Sequence, residues 1–272
     1  MNENRSRVVL ITGASSGIGQ ACANYLTEKD FQVYGTSRQE QNQGAINFEM
    51  IAMDVNDEES VNQGIERIVS REGRLDVVVN NAGYALAGSV EDTSLEEAEA
   101  QFQTNFFGVV RVCRAVLPTM RQQGHGTIVN MSSIAGLIGT PFQGYYCSSK
   151  YALEGFTESL RGEVRPYGIH VVLIEPGDFH TDLTANRRIT ALADSNSPYF
   201  GKFNNALEVI ESGETNGPTP ERIAILLEQI INTSSPRLRY LTGPFLQRLA
   251  VTLKKVIPYS LFEWLMMKTY NL

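Results

Sequence analysis

The chain has 272 residues, 42% of them hydrophobic and 19% charged, and carries a net charge of −7. That balance suits a soluble globular protein with a sizeable core and argues against a nucleic-acid partner. No apolar run reaches the roughly 18 residues of a membrane span, the opening MNENRSRVVLITG lacks a signal-peptide core, and Cys22, Cys113 and Cys147 are too few and scattered for a disulfide framework or zinc site; the expectation is a cytoplasmic protein.

Val8–Thr12 is a short apolar run that ends on Gly13, and the residues beyond turn helical. Strand, glycine loop, helix is the entry of a βαβ unit. The loop reads TGASSGIG, with glycines at 13, 17 and 19, a G-x-x-x-G-x-G spacing rather than G-x-G-x-x-G. Such glycines let backbone N–H groups approach a pyrophosphate, and the helix N-terminus adds favourable dipole charge; a plain glycine turn is the competing reading. The second strand, Gln32–Thr36, runs into Ser37–Arg38. No carboxylate stands there for a ribose 2′-OH, whereas the guanidinium suits a 2′-phosphate, so NADP(H) is preferred to NAD(H).

A third strand, Phe48–Met53, leads to Asp54–Val55 and a helix from about Glu58 to Arg71. Leu75–Val79 has the continuous apolar character of a buried parallel strand and ends in Asn80-Asn81-Ala82-Gly83. Ser94 and Glu97 fit a capping box, opening a helical pattern that runs to about Gln122. Within it the polar Asn105 is either a satisfied core residue or part of a site. Thr127–Met131 is the fifth strand and delivers Ser132 and Ser133.

The next stretch, SIAGLIGTPFQGYYCSSK, places Tyr146 and Lys150 one helical turn apart. An ammonium group eases ionisation of a phenol whose ordinary pKa is about 10, so the pair could pass a proton near neutrality. The spacing alone is weak: Tyr25 and Lys29 repeat it, but Tyr25 belongs to an apolar stripe with Ile18, Cys22 and Leu26 and reads as core. His170–Ile174 is the sixth strand, closing in Pro176–Gly177; Pro220–Ile231 is a helix and Arg239–Leu241 the last strand. The three histidines (His125, His170, His180) show no ligand spacing, so no metal is expected. Alternating strands and helices predict one α/β domain over 1–272, a doubly wound, Rossmann-type parallel sheet of about seven strands with helices on both faces.

Taken together, TGASSGIG, Asp54, NNAG, Asn105, Ser133, YCSSK and PGDFHT resemble the short-chain dehydrogenase/reductase family, in its order, over residues 8–181. The section from Gly136 to Glu163 is similar to its 17β-hydroxysteroid and retinol dehydrogenase branch. The resemblance implies that Tyr146 is the general acid/base and that Lys150 lowers its pKa and binds the nicotinamide ribose. Ser133 would hold the carbonyl oxygen, and Asn105 would support a water relay to Lys150. The implied cofactor surface comprises Gly13, Ser15, Ser16, Gly17, Ile18, Gly19, Arg38, Asp54, Val55, Asn80, Ala82, Gly83, Pro176, Gly177 and Thr181, with Asp54 at the adenine and Thr181 at the carboxamide. Ser133, Tyr145, Leu137, Phe142, Phe179 and His180 would meet the substrate. Family members are commonly dimers or tetramers, so a homo-oligomer is expected.

Residues 182–217 show few periodic signals and read as a substrate lid, with Leu183, Ile189, Leu192, Tyr199, Phe200, Phe203, Leu207 and Ile210 as its apolar members. Residues 244–272 carry two helical stripes broken at Pro258, and residues 237–272 hold six Lys/Arg against one acid, Glu263. That tail suits packing over the substrate entrance, a subunit contact or a membrane surface. The expected activity is NADP(H)-dependent hydride transfer on an apolar, lipid-like ketone or alcohol (steroid, retinoid or similar). A 3-oxoacyl thioester reductase and a non-catalytic NADP-binding regulator are the rivals.

Overall fold

Alternate residues of the first strand face opposite ways, as the two-residue period of a β-strand requires. Val8 and Leu10 enter one buried cluster and Val9 and Ile11 another, so this strand lies between two layers. The computed structural model describes residues 6–38, 46–181 and 187–272. Its elements begin with β1 (Val8–Ile11), α1 (Gly17–Glu28), β2 (Gln32–Ser37), β3 (Glu49–Ala52), α2 (Glu58–Glu72) and β4 (Val77–Asn80). They continue with β5 (Leu86–Ala87), α3 (Leu95–Phe102), α4 (Gly108–Gln123), β6 (Gly126–Met131), α5 (Gly144–Val164) and β7 (Ile169–Pro176). Then come β8 (Arg188–Ile189), α6 (Phe200–Thr215), α7 (Glu221–Ile231), β9 (Arg239–Thr242), α8 (Phe245–Val256) and α9 (Tyr259–Thr269).

Seven strands form one parallel sheet in the order β3-β2-β1-β4-β6-β7-β9. Residues from α2, α4 and α5 cover one face, including Ile65, Val116 and Leu153. Residues from α1 and α7 cover the other, including Leu26 and Leu227. The Rossmann-type α/β architecture expected from the strand–helix alternation is therefore present. The strand order turns back between β1 and β4, and the carboxyl ends of strands at such a reversal form the usual ligand crevice.

Local signals set several boundaries. Asp57 caps α2 by accepting from the Glu59 N–H at 3.0 Å, and Gly73 ends it at a left-handed φ of 72°. The Ser94–Glu97 capping box forms as expected, at 2.9 and 3.2 Å. Glu97 also accepts from the Thr190 hydroxyl at 2.6 Å and the Ala191 N–H at 3.0 Å, pinning the segment after β8. The helix containing Asn105 is not continuous: a π-helical turn, Gln103–Phe107, separates α3 from α4. Such turns often occur at functional sites. The 182–217 stretch contains more regular structure than its sequence suggested, because β8 pairs with β5 and α6 follows. Leu183 lies outside the described residues.

Candidate active site

The glycine loop is shaped by close approach. Gly13 holds φ at 65°, and a Cβ there would come within 2.8 Å of Ala82 Cα. At Gly19 a Cβ would meet the Gly13 carbonyl at 2.3 Å, so this glycine serves packing of α1 against the loop. Asn81 ties the loop to the end of β4: its amide donates to the carbonyls of Thr12 and Gly13, both at 3.0 Å. The Thr12 hydroxyl accepts from the N–H groups of Asn81 and Ala82, each at 3.0 Å. At the start of α1, Ser16 makes no side-chain cap and the first turn holds no acid. Uncapped N–H donors at a positive helix end are suited to a diphosphate. Buried Thr36 adds to the same cavity wall a hydroxyl that has no partner among the described residues. These features fit a dinucleotide.

That wall belongs to a cavity of about 1590 Å³. The volume exceeds the roughly 300–1,000 Å³ of a typical single-ligand pocket, leaving space for a dinucleotide and a second molecule. Of the cofactor residues read from the sequence, Gly13, Ser15, Ser16, Gly17, Ile18, Arg38, Asp54, Val55, Ala82, Gly83, Pro176, Gly177 and Thr181 line it. Gly19 and Asn80 do not. Asn80 is buried beneath the site, its amide donating to Asn130 Oδ1 at 2.8 Å.

Ser133, Tyr146 and Lys150 meet in this cavity. Tyr146 and Lys150 project from one face of α5, and Ser133 lies just beyond β6. The Ser133 hydroxyl accepts from the Ala135 N–H at 3.1 Å and lies 3.3 Å from the Pro176 carbonyl. The expected effect of Lys150 on Tyr146 is not seen. Lys150 Nζ is 5.8 Å from the centre of the Tyr146 ring and donates to the Met131 carbonyl at 2.8 Å. Burial pushes the Tyr146 phenol up to about 12, against a smaller lowering by its hydrogen bond with Ser133. Burial also pulls Lys150 down to about 8, against the pull of Glu154. Desolvation is the largest influence on both groups in this state.

Asn105 is buried but does not line the cavity. Its Nδ2 donates to the Tyr84 carbonyl at 3.0 Å and lies 3.4 Å from Ser149 Oγ, while its Oδ1 accepts from the Tyr84 N–H at 3.1 Å. Ser149 in turn donates to the Tyr146 carbonyl at 2.7 Å. The amide thus braces the backbone around Tyr84 and α5, and its contacts do not include Lys150.

The structure brings only some of the expected substrate residues to the cavity. Ser133, Tyr146 and Phe179 line the cavity; Leu137, Phe142, Tyr145 and His180 do not. Leu137 packs under the tail. Phe142, at a left-handed φ of 60°, turns against Phe203, with ring centres 5.7 Å apart. His180 is exposed, with Nδ1 2.9 Å from the Thr215 carbonyl. The second ligand's wall comes largely from the lid and tail segments, whose residues were read as covering the substrate entrance and not as individual contacts. Val209 and Ile210 of α6, Leu246 and Leu253 of α8, and Phe262 and Met266 of α9 supply apolar surface.

Buried Val251 and Phe262 anchor the tail on Ile138, and Lys254 Nζ donates to the Leu137 carbonyl at 2.6 Å. Gln247 reaches in to exchange hydrogen bonds with Asp178, accepting from its N–H at 2.8 Å and donating to its carboxylate. Burial pushes the Asp178 carboxyl up to about 6, with Gln247 drawing it back. Glu214 lines the same region and is ion-paired with buried Arg187. The cavity is thus polar beside Tyr146 and apolar beneath the tail. Apolar stripes on both tail helices were legible; the Gln247–Asp178 exchange that locks the tail to the loop after β7 left no sequence signal.

A parallel sheet with a glycine loop at its reversal and a Ser–Tyr–Lys set beside it defines a nucleotide-binding oxidoreductase. Residues 7–191 match the short chain dehydrogenase family, and the chain belongs to that family. The 3-ketodihydrosphingosine reductase of Bacteroides thetaiotaomicron is 42% identical over 95% of this chain and 96% of its own. Human 17-beta-hydroxysteroid dehydrogenase type 1 is 34% identical over 86% of this chain and 77% of its own. A short-chain dehydrogenase from Streptomyces avermitilis superposes with a TM-score of 0.81 at 32% identity, covering 97% of each chain. Solved relatives bind either nicotinamide cofactor. One from Burkholderia phymatum is in complex with NAD (25% identity, TM-score 0.80, 94% of this chain and 95% of that one). ElxO has NADP bound (29%, 0.71, 87% and 95%).

Proposed function

We propose that this oxidoreductase uses NADPH to reduce a ketone at the polar end of a long apolar chain. The observation that carries this reading is the continuity of the cavity: it runs from the glycine loop, past Tyr146, into an apolar sleeve under α8 and α9. The relative named for 3-ketodihydrosphingosine, a long-chain amino ketone, supports it. Polar Asp178 and Glu214 on the wall of the same cavity suit the hydroxyl or amino groups of such a head. Arg38 on the cofactor wall, with no acid beside it at the end of β2, supports NADPH over NADH.

When bound, the reduced nicotinamide supplies a hydride to the carbonyl carbon. As the C=O electron pair moves to oxygen, Tyr146 gives that oxygen its proton and Ser133 stabilises the growing charge by hydrogen bonding. Tyr146, held protonated at neutral pH, is in the form that reduction needs. Lys150, drawn near neutrality by burial, returns a proton to the phenolate. Asn105 acts as a positioning residue, holding α5 through Ser149.

A lipid chain is favoured over a steroid or retinoid nucleus by the relative named for 3-ketodihydrosphingosine, which is 42% identical over 95% of this chain. A 3-oxoacyl thioester reductase is the second reading, favoured by exposed Arg248, Lys255 and Lys268 on the tail. Following cofactor absorbance with purified enzyme, NADPH or NADH, and a panel of 3-ketodihydrosphingosine, steroid, retinoid and acyl-thioester carbonyls tests both. Turnover of the amino ketone with NADPH is expected; turnover confined to thioesters would favour the second reading.

A further inference from the structure

The tail that closes the sleeve leaves an unusual outer face. Phe245, Val256, Tyr259, Leu261 and Trp264 are between 46% and 71% exposed. Leu261, Trp264 and Leu265 follow i, i+3, i+4 spacing on α9, while Phe245, Leu249 and Val256 share a face of α8. These side chains are not spare core residues, since Val251 and Phe262 already anchor the helices. Their types matter as well: Trp and Tyr favour a boundary where one side is apolar and the other wet.

Charge identifies the partner. Arg248, Lys255 and Lys268 are exposed around this face, and Lys268 Nζ lies 5.3 Å over the Trp264 ring. Residues 237–272 carry a net +5, against −12 for the rest of the chain. An anionic surface would attract the tail and repel the remainder, presenting this face first. A second copy docked face to face about a two-fold axis would instead bring the same cations together, with only Glu263 to offset them.

Position supplies the consequence. Leu246, Leu249 and Leu265 are exposed and also line the cavity, so the bare face and the sleeve share a wall. We propose that the α8–α9 face docks on an anionic lipid bilayer and that the sleeve takes its long-chain ketone directly from it. Such a route spares the chain passage through water, whose cost grows with each exposed methylene. The route rests on the lipid-ketone reading above; the docking does not.

The test is co-sedimentation of the full-length enzyme with phosphatidylcholine vesicles, with and without phosphatidylglycerol. Binding to the anionic vesicles is expected, weakening with salt and falling about tenfold or more in Arg248→Glu/Lys255→Glu and in Val256→Asp/Trp264→Asp. Both variants should keep the wild-type melting profile and the wild-type rate on a short water-soluble ketone. Wild-type protein left in the supernatant, or variants that sediment like wild type, would overturn the docking. Dimers lost in the apolar variant with vesicle binding unchanged would assign the face to a second copy and overturn it too. Vesicle binding without reduction of any long-chain ketone would uphold the docking and remove the substrate reading instead.

Discussion

Lys150 and Tyr146 share a face of α5, yet the lysine donates to the Met131 carbonyl at 2.8 Å while its nitrogen stands 5.8 Å from the tyrosine ring centre. The pair is therefore set by burial more than by mutual attraction, with Tyr146 pushed up to about 12 and Lys150 down to about 8. This arrangement suits proton donation. Tyr146→Phe should lower kcat for reduction by about 10²–10⁴-fold, the usual size of a general-acid contribution, with NADPH affinity within about twofold of wild type. Stopped-flow turnover and fluorescence titration measure the two effects separately.

A pH profile follows from the lysine. Its ammonium form is present below about 8 and lost above it. Because kcat/KM reports the free enzyme, reduction should hold level up to about pH 8 and then fall. A profile level to pH 10 would remove Lys150 from the relay.

Stability should move the opposite way to activity. The folded-state pKa of Lys150 is depressed from 10.5 to about 8, so its contribution to stability is present above the unfolded value and lost as pH falls through about 8. At pH 7 the buried charge costs up to about 3 kcal/mol. Lys150→Met should thus raise Tm at pH 7 while abolishing turnover, with the gain shrinking towards pH 10.5. Calorimetry at the two pH values checks the sign.

Arg38 is exposed on the cofactor wall, where a 2′-phosphate would gain a charge-assisted hydrogen bond. Arg38→Ala should weaken NADPH by about 10–100-fold and NADH by less than about twofold. Equal losses would count against the phosphate role.

Phe262 links fold and sleeve, being 5% exposed and part of the cavity wall. Phe262→Ala should cost about 3 kcal/mol in denaturant unfolding and raise KM for a long-chain ketone more than for a short one.

The sheet was legible because each central strand is an apolar run bounded by glycine, asparagine or serine; VVLI and VVVN are buried along their whole length. Tyr25 also reads correctly as structural: it packs against the α1–α7 core and donates to Glu228 at 2.7 Å. Two-residue strands such as β5 and β8 have no period to detect. Leu137, Phe142 and Tyr145 were misplaced on the substrate wall because nearness in sequence to Tyr146 does not set direction. Tyr145 precedes it by one helical step and stands off the wall, whereas Leu253 and Met266, more than a hundred residues later, line it. Asn105 illustrates a different limit. Its polarity marked it, but the π-helical turn that sets its contacts with Tyr84 and Ser149 is a property of backbone packing.

The most direct measurement is kcat/KM for NADPH-dependent reduction across 3-keto amino lipids of increasing chain length. The sleeve predicts a rise with each added methylene until the apolar wall is filled, by a factor of up to about four per carbon at about 0.8 kcal/mol each. A flat series, or turnover only of ketones without a chain, would contradict the assignment.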